Sequence, residues 1–267
     1  MLGDNSNKQL SNIHCYLLDM DGTLYLGDRL LPGAQEFITL LKDKKIQYLF
    51  LTNNSSKSAG DYQQKLLRLG IVEPKEKILT SGEATCLYLL KTKPGARIFL
   101  AGTPSLKEEF LFHKFSLVQE KPDIVVLGFD TTITFNKLSL MCDFLRSGLP
   151  YIATHPDINC PTEKGDFMLD IGSLIAFVAA CTGRQPDVII GKPYQPMLDA
   201  VMIKTHVRLD QIAMIGDRLY TDIAMRQAGI YTILVLSGET SREEAQGSPF
   251  LANLIVDDLA DLFKRLS

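Results

Sequence analysis

Two carboxylates, Asp19 and Asp21, stand two residues apart in "LLDMDGTL", directly after an apolar run. On a strand, residues i and i+2 point to the same side, so these acids would crowd each other. Like charges that close push one pKa up, and carboxylates are costly to take out of water. A purely structural strand has no use for the pair. A metal ion, or a reaction that wants two carboxylates, would explain it. Three further apolar runs also end in reactive groups: "YLFLTNNSS" in Thr52 and Asn53, "VIIGKP" in Lys192, and "AMIGDRLYTD" in Asp217 with Asp222 five residues on. Taken singly, a hydroxyl after a strand is usually a turn or helix cap, and a lysine before proline is usually solvated surface. Four strand ends with complementary chemistry in one chain are harder to dismiss.

The elements needed to hold these groups are visible as alternating patterns. "IHCYLLDM" reads as a strand and "GAQEFITLLKDKK" as a helix with Phe37, Leu40 and Leu41 on one face; "IQYLFLTN" and "KSAGDYQQKLLRLG" repeat the pair. "RIFLAG", "DIVVLGF", "PYIATH", "DVIIGK", "QIAMIGD" and "YTILVL" follow, mostly separated by helix-length segments. Strands this uniformly apolar suit a parallel sheet covered on both faces. The fold class is α/β, doubly wound, and in such sheets ligands gather at the carboxyl ends of the strands.

Across its 267 residues the chain is 46% apolar and 22% charged, with a formal net charge of −3. That balance argues against a broad basic surface for nucleic acid. No apolar run approaches the length of a membrane helix, and the N-terminal "MLGDNSNKQLSN" lacks a signal-peptide core, so the expected location is cytoplasmic. Five widely spaced cysteines with no C-x-x-C pair, and four histidines without ligand spacing, make a zinc site unexpected. Cys142 (with Leu138, Met141 and Leu145) and Cys181 (with Leu174, Phe177 and Val178) each fall on an apolar helical stripe, which places both in buried helix faces.

The four strand-end groups resemble the motifs of the haloacid dehalogenase-like (HAD) phosphatase superfamily: "DMDGTL", Thr52, Lys192 and "GDRLYTD", in order and across nearly the whole chain. The resemblance implies Asp19 as a nucleophile forming an aspartyl-phosphate, and Asp21 as general acid and then base. It implies Mg²⁺ held by Asp19, the backbone carbonyl of Asp21, and Asp217, with Asp222 in the second shell or reaching the metal through water. Thr52, Asn53 and Lys192 would hold the phosphoryl oxygens.

About 140 residues separate Thr52 from Lys192, too many for one βα unit or a structureless loop. The resemblance makes this insert the α/β cap of subclass IIA, whose members include NagD-like, p-nitrophenyl phosphatase-like and pyridoxal-phosphate phosphatase-like proteins. The implied organisation is a core of residues 1–80 and 186–267 with a cap of 81–185. The expected specificity loop is "HPDINCPTEKGDFMLDIG", with His155, Asp157 and Asp170 as candidate substrate contacts; the other readings are a His155 hydrogen-bonded to loop backbone and an Asp157 that only forms a turn. Relatives commonly have Asn at the first of these positions and a Pro-Gly-like pair where Leu169 and Asp170 stand. The expected partner is a small phosphorylated metabolite, with a cap-mediated homodimer among the assemblies open to it. A phosphomutase shares the aspartyl-phosphate, but such mutases usually carry a helical cap after the first motif, where only "YLGDRLLPGAQ" stands. A catalytically silent phosphometabolite-binding protein is the alternative of a different class.

Overall fold

"CYLL", Cys15–Leu18, is buried at all four positions and forms a central strand of the larger sheet in the computed structural model, which describes residues 10, 12–161 and 167–267. That sheet has six strands in the order Leu254–Val256, Tyr231–Val235, Ile212–Gly216, Cys15–Leu18, Gln47–Thr52 and Ile78–Thr80. From the first of these to Gln47–Thr52 every pairing is parallel. Ile212–Gly216 and Tyr231–Val235 are buried along their whole length, as a sheet with both faces covered requires. The Ala34–Asp43 helix buries Ala34, Phe37, Ile38 and Leu41, so Ile38 rather than Leu40 completes its apolar face.

The chain divides into two compact units, one comprising the chain up to Leu51 with Gln63–Ile78 and Val201–Ser267, the other comprising Thr52–Tyr62 and Leu79–Ala200. Thr52 and Lys192 therefore fall in the second unit, which extends past 81–185 at both ends. Its five-stranded sheet is parallel throughout, in the order Val188–Ile189, Tyr151–Ala153, Ile124–Leu127, Arg97–Ala101 and Ser116–Leu117. Phe99, Val125, Leu127 and Tyr151 from the strands pack with Met141, Leu145, Ile175 and Val178 from the helices. Side-chain oxygens of Thr80, Thr103 and Thr134 cap the helices that follow them, satisfying backbone donors that would otherwise lack partners.

One stripe differs from the sequence expectation. The Ile171–Thr182 helix buries Ile171, Ile175 and Val178, while Phe177 and Cys181 are exposed. Its sequence, "IGSLIAFVAACT", is apolar almost all round, so two stripes compete and periodicity alone does not choose between them. Cys142 is buried as expected. The loop after His155 contains a further element, Asn159–Pro161 paired antiparallel with Phe167–Leu169; residues 162–166 of that loop lie outside the described residues. No helix among the described residues is long and apolar enough to cross a membrane.

Candidate active site

The parallel register pairs Leu18 with Ile215 and with Phe50, so Asp19 leaves its strand level with Gly216. The Asp19 amide still donates to the Ile215 carbonyl at 2.9 Å. Asp217 follows directly on Gly216, and the turn after it brings Asp222 back: the Arg218 amide donates to Asp222 Oδ2 at 3.1 Å. One carboxylate oxygen from each of Asp19, Asp217 and Asp222 then lies within 4.8 Å of the others, and all three residues are buried. The glycines make this closeness feasible. A Cβ at Gly22, whose φ is +88°, would lie 2.3 Å from Asp217 Oδ2, and one at Gly216 would lie 2.2 Å from the Asp222 carboxyl carbon. Only glycine accepts both the conformation and the contact at position 22.

Three buried carboxylates without compensation are unfavourable. Asp217 carries the cost most visibly. The Glu239 amide donates to its Oδ2 at 2.7 Å, whereas its buried Oδ1 has no hydrogen-bond partner. Burial, reinforced by the neighbouring Asp222 charge, pushes its pKa up to about 7. A divalent cation would supply the missing partner and offset the charge, and hard oxygen donors of this kind are what Mg²⁺ and Ca²⁺ take. The residues present fit such an ion.

Asp21 stands apart from this cluster in character. Its side chain is 46% exposed, in contrast to Asp19, and two neighbours hold it. The Tyr25 hydroxyl donates to its Oδ2 at 3.2 Å, and Lys65 Nζ lies 3.7 Å from Oδ1 and 3.9 Å above the Tyr25 ring. An accessible carboxylate beside a buried, crowded one is a physical basis for different tasks.

In the second unit, Thr52 Oγ1 accepts from the Asn54 amide at 3.2 Å. Lys192 is only 2% exposed. The Asn53 side chain grips its backbone on both sides, with Oδ1 accepting from the Lys192 amide at 2.7 Å and Nδ2 donating to its carbonyl at 3.2 Å. The Asn53 side chain is thus engaged by protein, which leaves its backbone amide for any phosphate contact. The residues expected in the specificity loop are held by protein groups. His155, Asp157 and Asp170 are all buried. His155 Nε2 lies 3.0 Å from Asp170 Oδ1, Asp170 caps the Ile171 amide at 2.6 Å, and Asp157 accepts from Asn53 Nδ2 at 3.2 Å. Buried polar groups need hydrogen-bond partners, and these bonds supply them within the protein.

Comparison with known proteins agrees with this geometry. The family model for haloacid dehalogenase-like hydrolases matches residues 16–116, and a second HAD-hydrolase-like model matches residues 189–262. The 5'-nucleotidase YutF of Bacillus subtilis is 35% identical over 229 residues, covering 85% of this chain and 89% of that protein. The chain belongs to the haloacid dehalogenase-like hydrolases, as a subclass IIA phosphatase. An acid sugar phosphatase of Staphylococcus saprophyticus is 32% identical over 96% of this chain and 99% of its own. The crystal structure of a 4-nitrophenylphosphatase from Thermotoga maritima superposes with a TM-score of 0.93 at 46% identity, covering 96% of this chain and 98% of the other.

In this haloacid dehalogenase-like hydrolase, several residues around the site carry no signal in the sequence. Tyr25 and Lys65 meet Asp21 from a short strand, Tyr25–Leu26, and a helix, Ala59–Arg68, about 40 residues apart, and neither stands in a motif. Glu239 supplies its amide to Asp217 and its carboxylate to Arg218 Nε at 2.9 Å. Its only advance sign was a position just beyond the "YTILVL" strand.

Proposed function

We propose that this phosphatase is a Mg²⁺-dependent phosphomonoesterase acting through an aspartyl-phosphate on Asp19. The observation that carries the reading is the convergence of Asp19, Asp217 and Asp222 oxygens within 4.8 Å, with a buried Asp217 oxygen lacking a protein partner. When bound, Mg²⁺ supplies positive charge for the carboxylates and for the phosphate dianion; Asp19, Asp217 and the Asp21 carbonyl would hold it, with Asp222 behind them or reaching it through water.

The chain's own residues divide the remaining work. Asp19 attacks phosphorus and the ester oxygen leaves, which splits hydrolysis into two easier displacements. Asp21 gives that oxygen its proton and later removes one from the attacking water, help typically worth ~10²–10⁴-fold. Its exposure supports the assignment, because the same carboxyl must exchange protons with leaving group and water. Tyr25 and Lys65 keep it oriented. Thr52 uses its oxygen to accept from Asn54, so its proton is the group offered to a phosphoryl oxygen. Lys192 supplies a point charge to the same anion. Residues 81–185 act as the cap that senses the leaving group.

The substrate class is small phosphomonoesters: the relatives' names give nucleotides, sugar phosphates and p-nitrophenyl phosphate, and the family resemblance adds pyridoxal phosphate. The test is Mg²⁺-dependent release of phosphate from p-nitrophenyl phosphate, abolished by chelation and in Asp19→Asn. Hydrolysis that persists in the Asp19→Asn protein would remove the nucleophile from this account.

A further inference from the structure

The loop expected to read the substrate leads instead to the lysine. Asn53, Asp157 and Lys192 are each at most 5% exposed, and the Asn53 side chain meets the bonding demand of a buried amide with protein groups. The two hydrogens of Asn53 Nδ2 meet two acceptors, the Lys192 carbonyl at 3.2 Å and the Asp157 carboxylate at 3.2 and 3.4 Å; Oδ1 takes the Lys192 amide at 2.7 Å. A side-chain amide turned by 180° would set its carbonyl oxygen against a carboxylate and a carbonyl, and its NH₂ against an N–H. Gly191 leaves the room this arrangement needs, since a Cβ there would lie 2.6 Å from Asn53 Oδ1. The Asn53 backbone is held separately: Ser81 Oγ donates to its carbonyl and lies 3.4 Å from His155 Nδ1, whose other nitrogen meets Asp170.

We propose that Asp157 is a positioning residue for Lys192, fixing the Asn53 amide in the one orientation that grips both polar groups of the Lys192 backbone. The carboxylate acts through Asn53 on where the lysine ammonium is presented. The assignment rests on the phosphatase reading, in which Lys192 takes a phosphoryl oxygen.

The test compares Asp157→Ala, Asp157→Asn, Asn53→Asp and the double variant Asn53→Asp/Asp157→Asn. Four quantities are read: KM and kcat for p-nitrophenyl phosphate, competitive inhibition by inorganic phosphate, and Mg²⁺ affinity by calorimetry. Asp157→Ala should raise both KM and the phosphate inhibition constant by roughly 10–100-fold, the scale of one hydrogen bond to a charged group. Mg²⁺ affinity should not change, because Asp19, Asp217 and Asp222 belong to the other unit. Asp157→Asn keeps an acceptor for Asn53 and should recover most of the loss. Asn53→Asp opposes two carboxylates and should be weaker still; adding Asp157→Asn restores a donor–acceptor pair with no change of shape, so the double variant should bind phosphate better than Asn53→Asp alone. The two isosteric exchanges carry the test even if Asp157→Ala does not fold. Unchanged KM and phosphate inhibition in Asp157→Ala, a double variant no better than Asn53→Asp, or a parallel loss of Mg²⁺ affinity would overturn the assignment. Wild-type protein that fails to hydrolyse p-nitrophenyl phosphate would instead overturn the phosphatase reading, and this assignment with it.

Discussion

Asp217 holds one partnered and one unpartnered oxygen in a buried site beside Asp222, and its pKa is pushed up to about 7 by burial and then by that neighbour. Unfolded, an aspartate titrates near 4. The folded group therefore holds its proton more tightly. Without metal, its contribution to stability is full below about pH 4 and is lost as pH rises toward about 7. Metal binding needs the anion, so Mg²⁺ affinity should climb over the same interval and level off above about pH 7. Calorimetric titrations between about pH 5.5 and 8 would show this, and a flat profile would mean that Asp217 is already ionised. Asp21 is a separate case because it is accessible. Asp21→Asn should keep metal and phosphate binding while turnover of an alkyl phosphate falls by roughly 10²–10⁴-fold. With p-nitrophenolate as leaving group, which needs less protonation, phosphoenzyme formation should fall less; equal losses would make Asp21 an organiser of the site. The chemistry was legible at this scale because Asp19, Asp21, Lys192 and Asp217 each close an apolar run. Tyr25 and Lys65 were not legible, since nothing local to either shows which carboxylate the fold will bring to it.

Among the elements, Cys15–Leu18, Gln47–Thr52, Ile212–Gly216 and Tyr231–Val235 were readable because each lies in an apolar run bounded by turn residues, and they pair in parallel; the edge strands Ile78–Thr80 and Leu254–Val256 are too short to show a pattern and were not read. The Ile171–Thr182 helix shows where such reading ends. Its core face was chosen by the strands it covers, which a sequence apolar on nearly all sides does not encode. Asp170 belongs to the same lesson. In the sequence it is a charge in a loop and a candidate substrate contact; folded, it is the N-cap of that helix and a partner of His155. Loss of an N-cap costs about 1 kcal/mol, and here His155 would lose its partner as well. Asp170→Ala should therefore lower the thermal midpoint, with Asp170→Asn recovering most of it because the amide oxygen still caps. Relative kcat/KM values across a panel of phosphomonoesters should stay in the same ratio. A change confined to particular substrates would return Asp170 to a specificity role.

At the scale of the whole molecule, the carboxylate cluster sets catalysis against stability. The fold gathers Asp19, Asp217 and Asp222 without a protein cation assigned to Asp217 Oδ1, and buried like charges destabilise the state that contains them. A divalent cation held by these carboxylates would bind the folded chain and not the unfolded one, so Mg²⁺, the ion proposed, should raise the thermal midpoint in proportion to the logarithm of its concentration above Kd. Removing one charge should invert that pattern. In Asp217→Asn the amide oxygen can still accept from Glu239, and the new NH₂ can donate toward Asp222, so the metal-free protein should melt at a higher temperature than metal-free wild type. The same variant should lose most of the Mg²⁺-dependent increment and nearly all hydrolysis. Thermal melts of both proteins at about pH 8, with and without Mg²⁺, measure the two effects side by side. At that pH Asp217 carries its full charge in the wild type, and the contrast is greatest. A metal-free Asp217→Asn protein less stable than wild type would mean that the carboxylate at this position supports the fold through its bond to Glu239 more than it strains it through Asp222.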